Sequence, residues 1–224
     1  MHAEVLAPQM QSETLGASVQ HRLTAMIDNL MEELPSPGRL TSEERRGIIA
    51  RYSSVLEGNF IYWMAATCLA VHSPEARPIL IENLHEEVRD SHPAMLRRFA
   101  IAAKAYPKDT DALAVNAELT AVRLFLGKLR GVQSLAMMAF FEGFIQKFMD
   151  YLAALAKQQG SQEMEYTDVH GVCDIAHSEG LFNAVRLEMA LNPIPADANL
   201  YEGVELLVAL IRRIIVGSQP ARVE

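Results

Sequence analysis

The stretch that decides the fold is residues 135–148, LAMMAFFEGFIQKF. Its large apolar side chains recur at steps of three and four residues, which is the spacing of one face of an α-helix. The residues in this pattern are Leu135, Met138, Phe141, Ile145 and Phe148. Similar spacing recurs along the chain, and no stretch shows the sustained alternation of apolar and polar residues that indicates a strand. The sequence therefore predicts an all-α fold.

Helix boundaries can be placed from caps and breaks. Thr41 followed by Glu44 has the pattern of a capping box and opens a helix that runs to about residue 72. Ser73 before Pro74 starts a second helix toward residue 90. Further helices are expected at about 94–105, 110–127, 130–159, 163–191 and 199–217. We predict one seven-helix bundle over residues 17–217, with a loose tail at 1–16 and a second tail at 218–224.

Composition limits the function. The 224 residues are 50% hydrophobic, enough for a core, and the net charge of −8 disfavours binding to nucleic acid. No run approaches the ~20 apolar residues of a membrane span, and the start lacks a secretion signal. The two cysteines, Cys68 and Cys173, lie far apart in the sequence and form no metal-binding pair. Reduced thiols in a cytoplasm fit them best. We expect a cytoplasmic protein that binds neither nucleic acid nor membrane, and the apolar surface of helix 199–217 would suit a homodimer.

The strongest chemical motif is residues 166–177, YTDVHGVCDIAH. His170, Asp174 and His177 share one face of a helix, since they are spaced by four and three residues. Burying these groups is costly unless a cation compensates, and imidazole with carboxylate suits iron, zinc or manganese. The alternative is a hydrogen-bonded helix face without metal. This segment alone leaves both interpretations open.

Two more segments offer ligands for the same site. Glu142 is the one acid in the apolar stretch quoted first, where it must face water, find a partner or bind a cation. Residues 82–93, ENLHEEVRDSHP, are denser in charge, which usually indicates a solvated face. Within them Glu82, His85 and Glu86 share a face of a regular helix. Glu87 and His92 would converge only if the helix unwinds before Pro93.

Taken in order, these three segments resemble the haem-oxygenase-like di-iron oxidases and oxygenases. The shared pattern is Asn-Leu-x-x-Glu followed by His-Pro, then a lone Glu in an apolar helix, then His-x-x-x-Asp-x-x-His, and the resemblance runs from about residue 48 to residue 191. It implies iron ligands at the six matching positions, with Glu82, His85 and Glu86 as substitutes for the first two. The six are Glu87, His92, Glu142, His170, Asp174 and His177.

The resemblance also implies an activity. Such proteins hold two Fe(II) ions without haem and use O₂ to oxidise small molecules, often in specialised metabolism. We expect an amine-bearing substrate, an amino acid or derivative with an apolar side chain, undergoing N-oxygenation or oxidative C–C cleavage to a nitrile or alkene. An external electron donor would be needed. If Glu87 and His92 lie on an unwound stretch, one iron should bind weakly.

Apolar side chains near these ligands predict the substrate pocket, with an arginine for a substrate carboxylate. The expected pocket residues are Phe60, Trp63, Met138, Phe141, Phe144 and Arg130. Two other functions stay open at this point. One is a fatty-acid oxidative decarboxylase of the same family, and the other is a metal-free helical binding or adaptor protein. A haem protein would need a proximal histidine, for which His21 is available, and a Gly-rich distal helix, which the sequence lacks.

Overall fold

The computed structural model describes residues 3–195 and 197–217, with side chains described for 17–171, 177–195 and 197–217. These residues form eight α-helices and a short 3₁₀ helix at Pro37–Arg39, and no strand lies among them. The fold is thus all-α, as predicted. The α-helices are α1 (Ala3–Glu32), α2 (Ser42–Ala70), α3 (Arg77–Arg89), α4 (His92–Ala102), α5 (Asp109–Leu126), α6 (Gly131–Gln158), α7 (Glu165–Leu191) and α8 (Glu202–Val216).

The predicted number of seven helices is not confirmed, because α1 and the 3₁₀ helix add to the seven placed from the sequence. The backbone of α1 begins at Ala3, inside the segment expected to be a loose tail. Its buried side chains within the described part are Val19, Leu23, Ile27 and Leu30. Their spacing of four, four and three is a helical stripe that packs on α6 and α7. The bounds predicted for the domain and its tails stay a prediction.

The start of α2 follows the sequence prediction in detail. The Thr41 hydroxyl accepts a hydrogen bond from the Glu44 amide at 3.2 Å, and the Glu44 carboxylate accepts one from the Thr41 amide at 2.7 Å. This reciprocal pair is the capping box, which satisfies two amides at the helix start. The expected helix start is therefore confirmed.

The second helix begins later than predicted, at Arg77 rather than near Ser73. The backbone amides of His72 and Ser73 donate instead to the buried carboxylate of Glu188 on α7, at 3.0 and 2.7 Å. The Asn192 side chain donates to the same carboxylate at 2.8 Å. One side chain thus holds the turn between α2 and α3 against the far end of α7, and that contact was not readable from local sequence.

A kink divides α2, although the sequence predicted a continuous helix. Glu57 and Gly58 have non-helical backbone angles, with φ +86° at Gly58, a value that glycine adopts without strain. Asn59 bridges the break, because its amide donates to the Val55 carbonyl at 2.7 Å. Arg123 on α5 in turn donates to the Asn59 side-chain oxygen at 2.6 Å. The halves of α2 before and after Gly58 therefore run in different directions.

The core is built around α6, which packs against α1, α2, α7 and α8. All five residues of the apolar pattern that opened the sequence analysis are buried. Neighbours on several sides bury every residue of α6 from Val132 to Ile145, which explains why this half of the helix is mostly apolar. The one carboxylate in that stretch, Glu142, is consequently carried to the centre of the bundle. None of the helices within the described residues is both long and apolar enough to cross a membrane.

Candidate metal centre

The junction between α3 and α4 brings Glu87 and His92 together. Helix α3 ends at Arg89, Ser91 takes the left-handed conformation with φ 57° and ψ 40°, and α4 begins at His92. The chain therefore turns back within five residues. The imidazole Nδ1 of His92 lies in hydrogen-bond contact with Glu87 Oε1 at 2.7 Å. The unwinding that the sequence required for these two residues to meet is present.

His170 faces this pair from α7. Its Nδ1 lies 2.8 Å from the backbone carbonyl oxygen of Tyr166, and a carbonyl only accepts, so Nδ1 carries the proton. Nε2 then holds the lone pair that a metal ion would bind, and it lies 3.8 Å from Glu87 Oε1. The geometry thus presets His170 in the tautomer of a metal ligand.

Glu87, His92 and His170 form one cluster of potential metal ligands. One ligand atom from each lies within 4.8 Å of the others, and all three side chains are buried. The rings of His92 and His170 contact each other with their centroids 4.4 Å apart. Two imidazoles and a carboxylate at this separation fit the donor set of a first-row divalent metal such as iron.

Glu142 joins this cluster across a shared cavity. Its side chain lies on α6 at 2% exposure and lines the same cavity as Glu87, His92 and His170. No Lys or Arg is among the described residues that line this cavity. Two carboxylates and two imidazoles therefore surround one small space in an apolar interior, an arrangement that a bound cation would favour.

His177 lies seven residues beyond His170 on α7 and contacts a different acid. Its Nε2 is 2.7 Å from a carboxylate oxygen of Glu86, which neighbours Glu87 on α3. His177 is buried and Glu86 is half-buried. The side chain of Asp174, predicted to lie between the two histidines, is outside the described residues. Glu86 and His177 thus extend the site along the interface of α3 and α7.

The other two predicted substitutes point away from the site. Glu82 and His85 are exposed on α3, whereas Asn83 and Glu87 of the same helix are buried. The Glu82 and His85 side chains of the regular Glu-x-x-His pattern therefore face solvent. Of the three substitutes, Glu86 alone reaches the site.

The cavity differs from the predicted substrate pocket. It is lined on its apolar side by Leu56, Phe60, Ile61, Pro93, Leu96 and Ile145, and on its polar side by the four candidate ligands and Tyr166. Of the predicted pocket residues Phe60 alone is part of this lining. Trp63, Met138, Phe141 and Phe144 are buried in the core instead. Their helical spacing identified core residues, and the sequence offered no means to separate core from cavity wall.

Arg130 lies elsewhere. It precedes α6, pairs with Glu202 at 2.6 Å and lines a separate, open cavity beside Glu188. Arg123 on α5 and Arg186 on α7 hydrogen bond to Asn59 and Asn183. None of these three arginines belongs to the described lining of the cavity at Glu87, His92, Glu142 and His170, which we call the metal cavity for its candidate ligands.

Tyr166 is a site residue that the sequence analysis missed. Its ring lies 4.3 Å from that of His170, centroid to centroid, and its hydroxyl is 2.8 Å from the hydroxyl of Tyr52 on α2. The position four residues before His170 placed it on the same helix face and could have indicated this role. Its carbonyl and ring together fix the orientation of His170.

An all-helical bundle with carboxylates and imidazoles gathered between facing helices belongs to the class of bundles that hold metal ions in their core. A comparison with protein families narrows this class. The family model described as iron-containing redox enzyme matches residues 50–211, which contain every predicted ligand. The chain belongs to this haem-oxygenase-like family of iron-containing redox enzymes. A search of curated proteins finds no match.

Proposed function

We propose that the protein is a non-haem di-iron enzyme that uses O₂ to oxidise a small amine-bearing molecule, an amino acid or derivative with an apolar side chain. One observation carries this proposal. Glu87, His92, Glu142 and His170 converge from four helices on one buried cavity in a chain of an iron-containing redox family. Iron-site ligands drawn from facing helices are the arrangement by which bundles build such centres.

The donors fit two ferrous ions. Glu87, His92, Glu142 and His170 would hold iron around the cavity, and Asp174 and His177 would complete the set, with Glu86 in reach of His177. Bound ferrous iron would supply the electrons and the Lewis acidity for O₂ chemistry, and an external donor would restore the reduced state. Tyr166 holds the His170 ring and tautomer, and the apolar wall excludes water from the reacting groups.

Two features support a non-haem centre. His21, the available proximal histidine for haem, is exposed on α1. The cavity lining also combines two carboxylates with two imidazoles, a donor set that suits non-haem ferrous iron.

Metal analysis tests the proposal most directly. Protein reconstituted with Fe(II) without oxygen should hold about two irons per chain, and Glu87→Gln and His92→Ala should each lower that number. Glu82→Gln and His85→Ala are matched controls, since they change the same residue types on the exposed side of α3 and should keep both irons. No iron in the parent protein would favour the binding or adaptor function instead.

The substrate class needs a separate measurement. Oxygen uptake by the iron-loaded protein should rise on addition of apolar or aromatic amino acids or their amine derivatives, and fatty acids form the competing panel. The apolar wall accepts the body of either class. Stimulation by fatty acids alone would assign the oxidative decarboxylase function.

A further inference from the structure

The metal cavity reaches the protein surface at one end. Nine of its described lining residues are buried, whereas Ile61 on α2 and Pro93 at the start of α4 are partly exposed. The opening therefore lies between α2 and α4, beside the α3–α4 junction. We call this the α2–α4 mouth and define it by Ile61 and Pro93.

The cavity is far too small for an organic substrate. Its volume of about 20 Å³ compares with roughly 300–1,000 Å³ for typical ligand pockets. Oxidation of any molecule larger than O₂ or water at the ligand cluster therefore requires the walls to move apart.

The kink of α2 lies in one of these walls. Gly58 separates Leu56 from Phe60 and Ile61, and all three of these side chains line the cavity. A Cβ placed on Gly58 would meet no atom within 4 Å, so space surrounds the backbone there. Glycine in the left-handed region rotates more easily than a residue inside a continuous helix. Gly58 is thus placed as a hinge for the half of α2 that carries Phe60 and Ile61.

An ion pair crosses the mouth next to this hinge. Glu57 lies at the kink, four residues before Ile61, and Arg97 follows Pro93 by one turn of α4. The side chains of Glu57 and Arg97 pair across α2 and α4. Arg97 is 56% exposed, and exposed ion pairs contribute little to stability. Such a contact can hold the mouth closed and still open readily.

We propose that substrate reaches the metal cavity through the α2–α4 mouth, with Gly58 as hinge, the Glu57–Arg97 pair as latch and Ile61 as the side chain that limits substrate size. This proposal rests on the proposed function, because it takes the cavity to be the place where the metal ions bind and the substrate reacts. The juxtaposition of hinge, ion pair and part-exposed lining around one opening supports it.

Ligand association with a Co(II)-loaded protein tests the size limit. Imidazole and 4-phenylimidazole share one donor atom and differ in bulk, so the ratio of their association rate constants reports the width of the mouth. Ile61→Ala should raise the relative rate of 4-phenylimidazole at least fivefold, and Ile61→Trp should lower it by a similar factor. Ile215→Ala on α8 is the matched control and should leave the ratio unchanged. A ratio within twofold of the parent for both Ile61 variants would overturn the assignment of Ile61.

Tryptophan fluorescence tests the latch without metal. Trp63 is the one tryptophan of the chain, is fully buried, and lies on α2 five residues beyond the hinge. Glu57→Gln should raise the acrylamide quenching constant at least twofold, whereas Glu33→Gln, which breaks an exposed pair with Arg212, should not. Equal quenching in Glu57→Gln and the parent would refute the latch.

The two tests separate this inference from the proposed function. If Co(II) fails to bind, the metal centre is wrong, and quenching still decides whether α2 opens at Gly58. If Co(II) binds and neither the Ile61 nor the Glu57 variants change their readouts, the metal centre stands and the mouth is wrong.

Discussion

The two sides of the metal cavity differ in how firmly the backbone is held. Glu142 and His170 lie inside α6 and α7, which have 28 and 27 residues and pack against each other along their length. Glu87 and His92 flank a break between α3 and α4, which have 13 and 11 residues. The comparison shows that the candidate ligands Glu142 and His170 are fixed by the bundle core, whereas Glu87 and His92 depend on a short junction.

The largest effect on turnover is expected for His170, on the side of the cavity formed by α6 and α7. His170→Ala should lower turnover at least about 100-fold, because even a group that merely orients a ligand contributes about 10- to 100-fold to metal affinity. Far-UV circular dichroism should show unchanged helix content. His72→Ala is the control, since His72 is exposed outside the cavity. Retained turnover in His170→Ala would place the reaction elsewhere.

The asymmetry itself predicts unequal iron binding. Titration of the protein with Fe(II) without oxygen should give two phases that differ by about tenfold or more in affinity, or about 1.4 kcal/mol. Addition of substrate should strengthen the weaker phase, because substrate contacts would order the side that includes the α3–α4 junction. Two equally tight sites in the substrate-free protein would contradict this prediction.

The junction can be loosened selectively. Ser91→Val places a β-branched residue in the left-handed conformation and should lower the free energy of unfolding by about 1–2 kcal/mol. It should also weaken the weaker iron site and leave the other intact. Ser91→Gly, which accepts this conformation, is the matched control. Urea unfolding and the Fe(II) titration measure both effects, and equal weakening of both sites would show that the two sides are coupled.

The smallest effect on stability and activity is expected for Arg130, which lies outside the cavity. The hydrogen bond from Lys128, helped by the charge of Arg130, lowers the pKa of Glu202 below its usual value. These pairs therefore stabilise the fold at neutral pH, and that stabilisation is lost as the pH falls through the pKa of Glu202 in the folded protein. Arg130→Ala should cost less than about 1 kcal/mol at pH 7, and this cost should disappear as the pH falls through the pKa of Glu202 in the folded protein. The KM for substrate should stay unchanged. A raised KM would show that Arg130 contacts the substrate, as the sequence had suggested.

Much of the helical framework was predictable because local patterns determine it. The capping box at Thr41 and the apolar stripe of α6 depend on neighbours three and four residues away, and both are present as expected. The meeting of Glu87 and His92 was expected on condition that the helix breaks before Pro93, and α3 ends at Arg89. Asp174 is still a prediction.

The remaining differences have long-range causes. The predicted start of α3 was four residues early: Ser73 opens a turn, in which its hydroxyl accepts from the Ala76 amide, and its own amide is bound by Glu188, more than a hundred residues away. The kink at Gly58 depends on Asn59 and on Arg123 from another helix. The core residues Trp63 and Phe144 have the same spacing as cavity residues, so burial in three dimensions was needed to separate them.

The hydrogen bonds of the Glu188 carboxylate limit which end of the bundle can move. This carboxylate joins the turn before α3 to the last turns of α7, and a Cβ on Gly131 would come within 2.9 Å of it, so α6 is fitted closely there too. The helices that bear Glu87, Glu142 and His170 therefore share one anchorage at that end of the bundle. Any rearrangement that admits or releases a guest molecule should therefore open the opposite end, where α4 begins, and leave this anchored end in place.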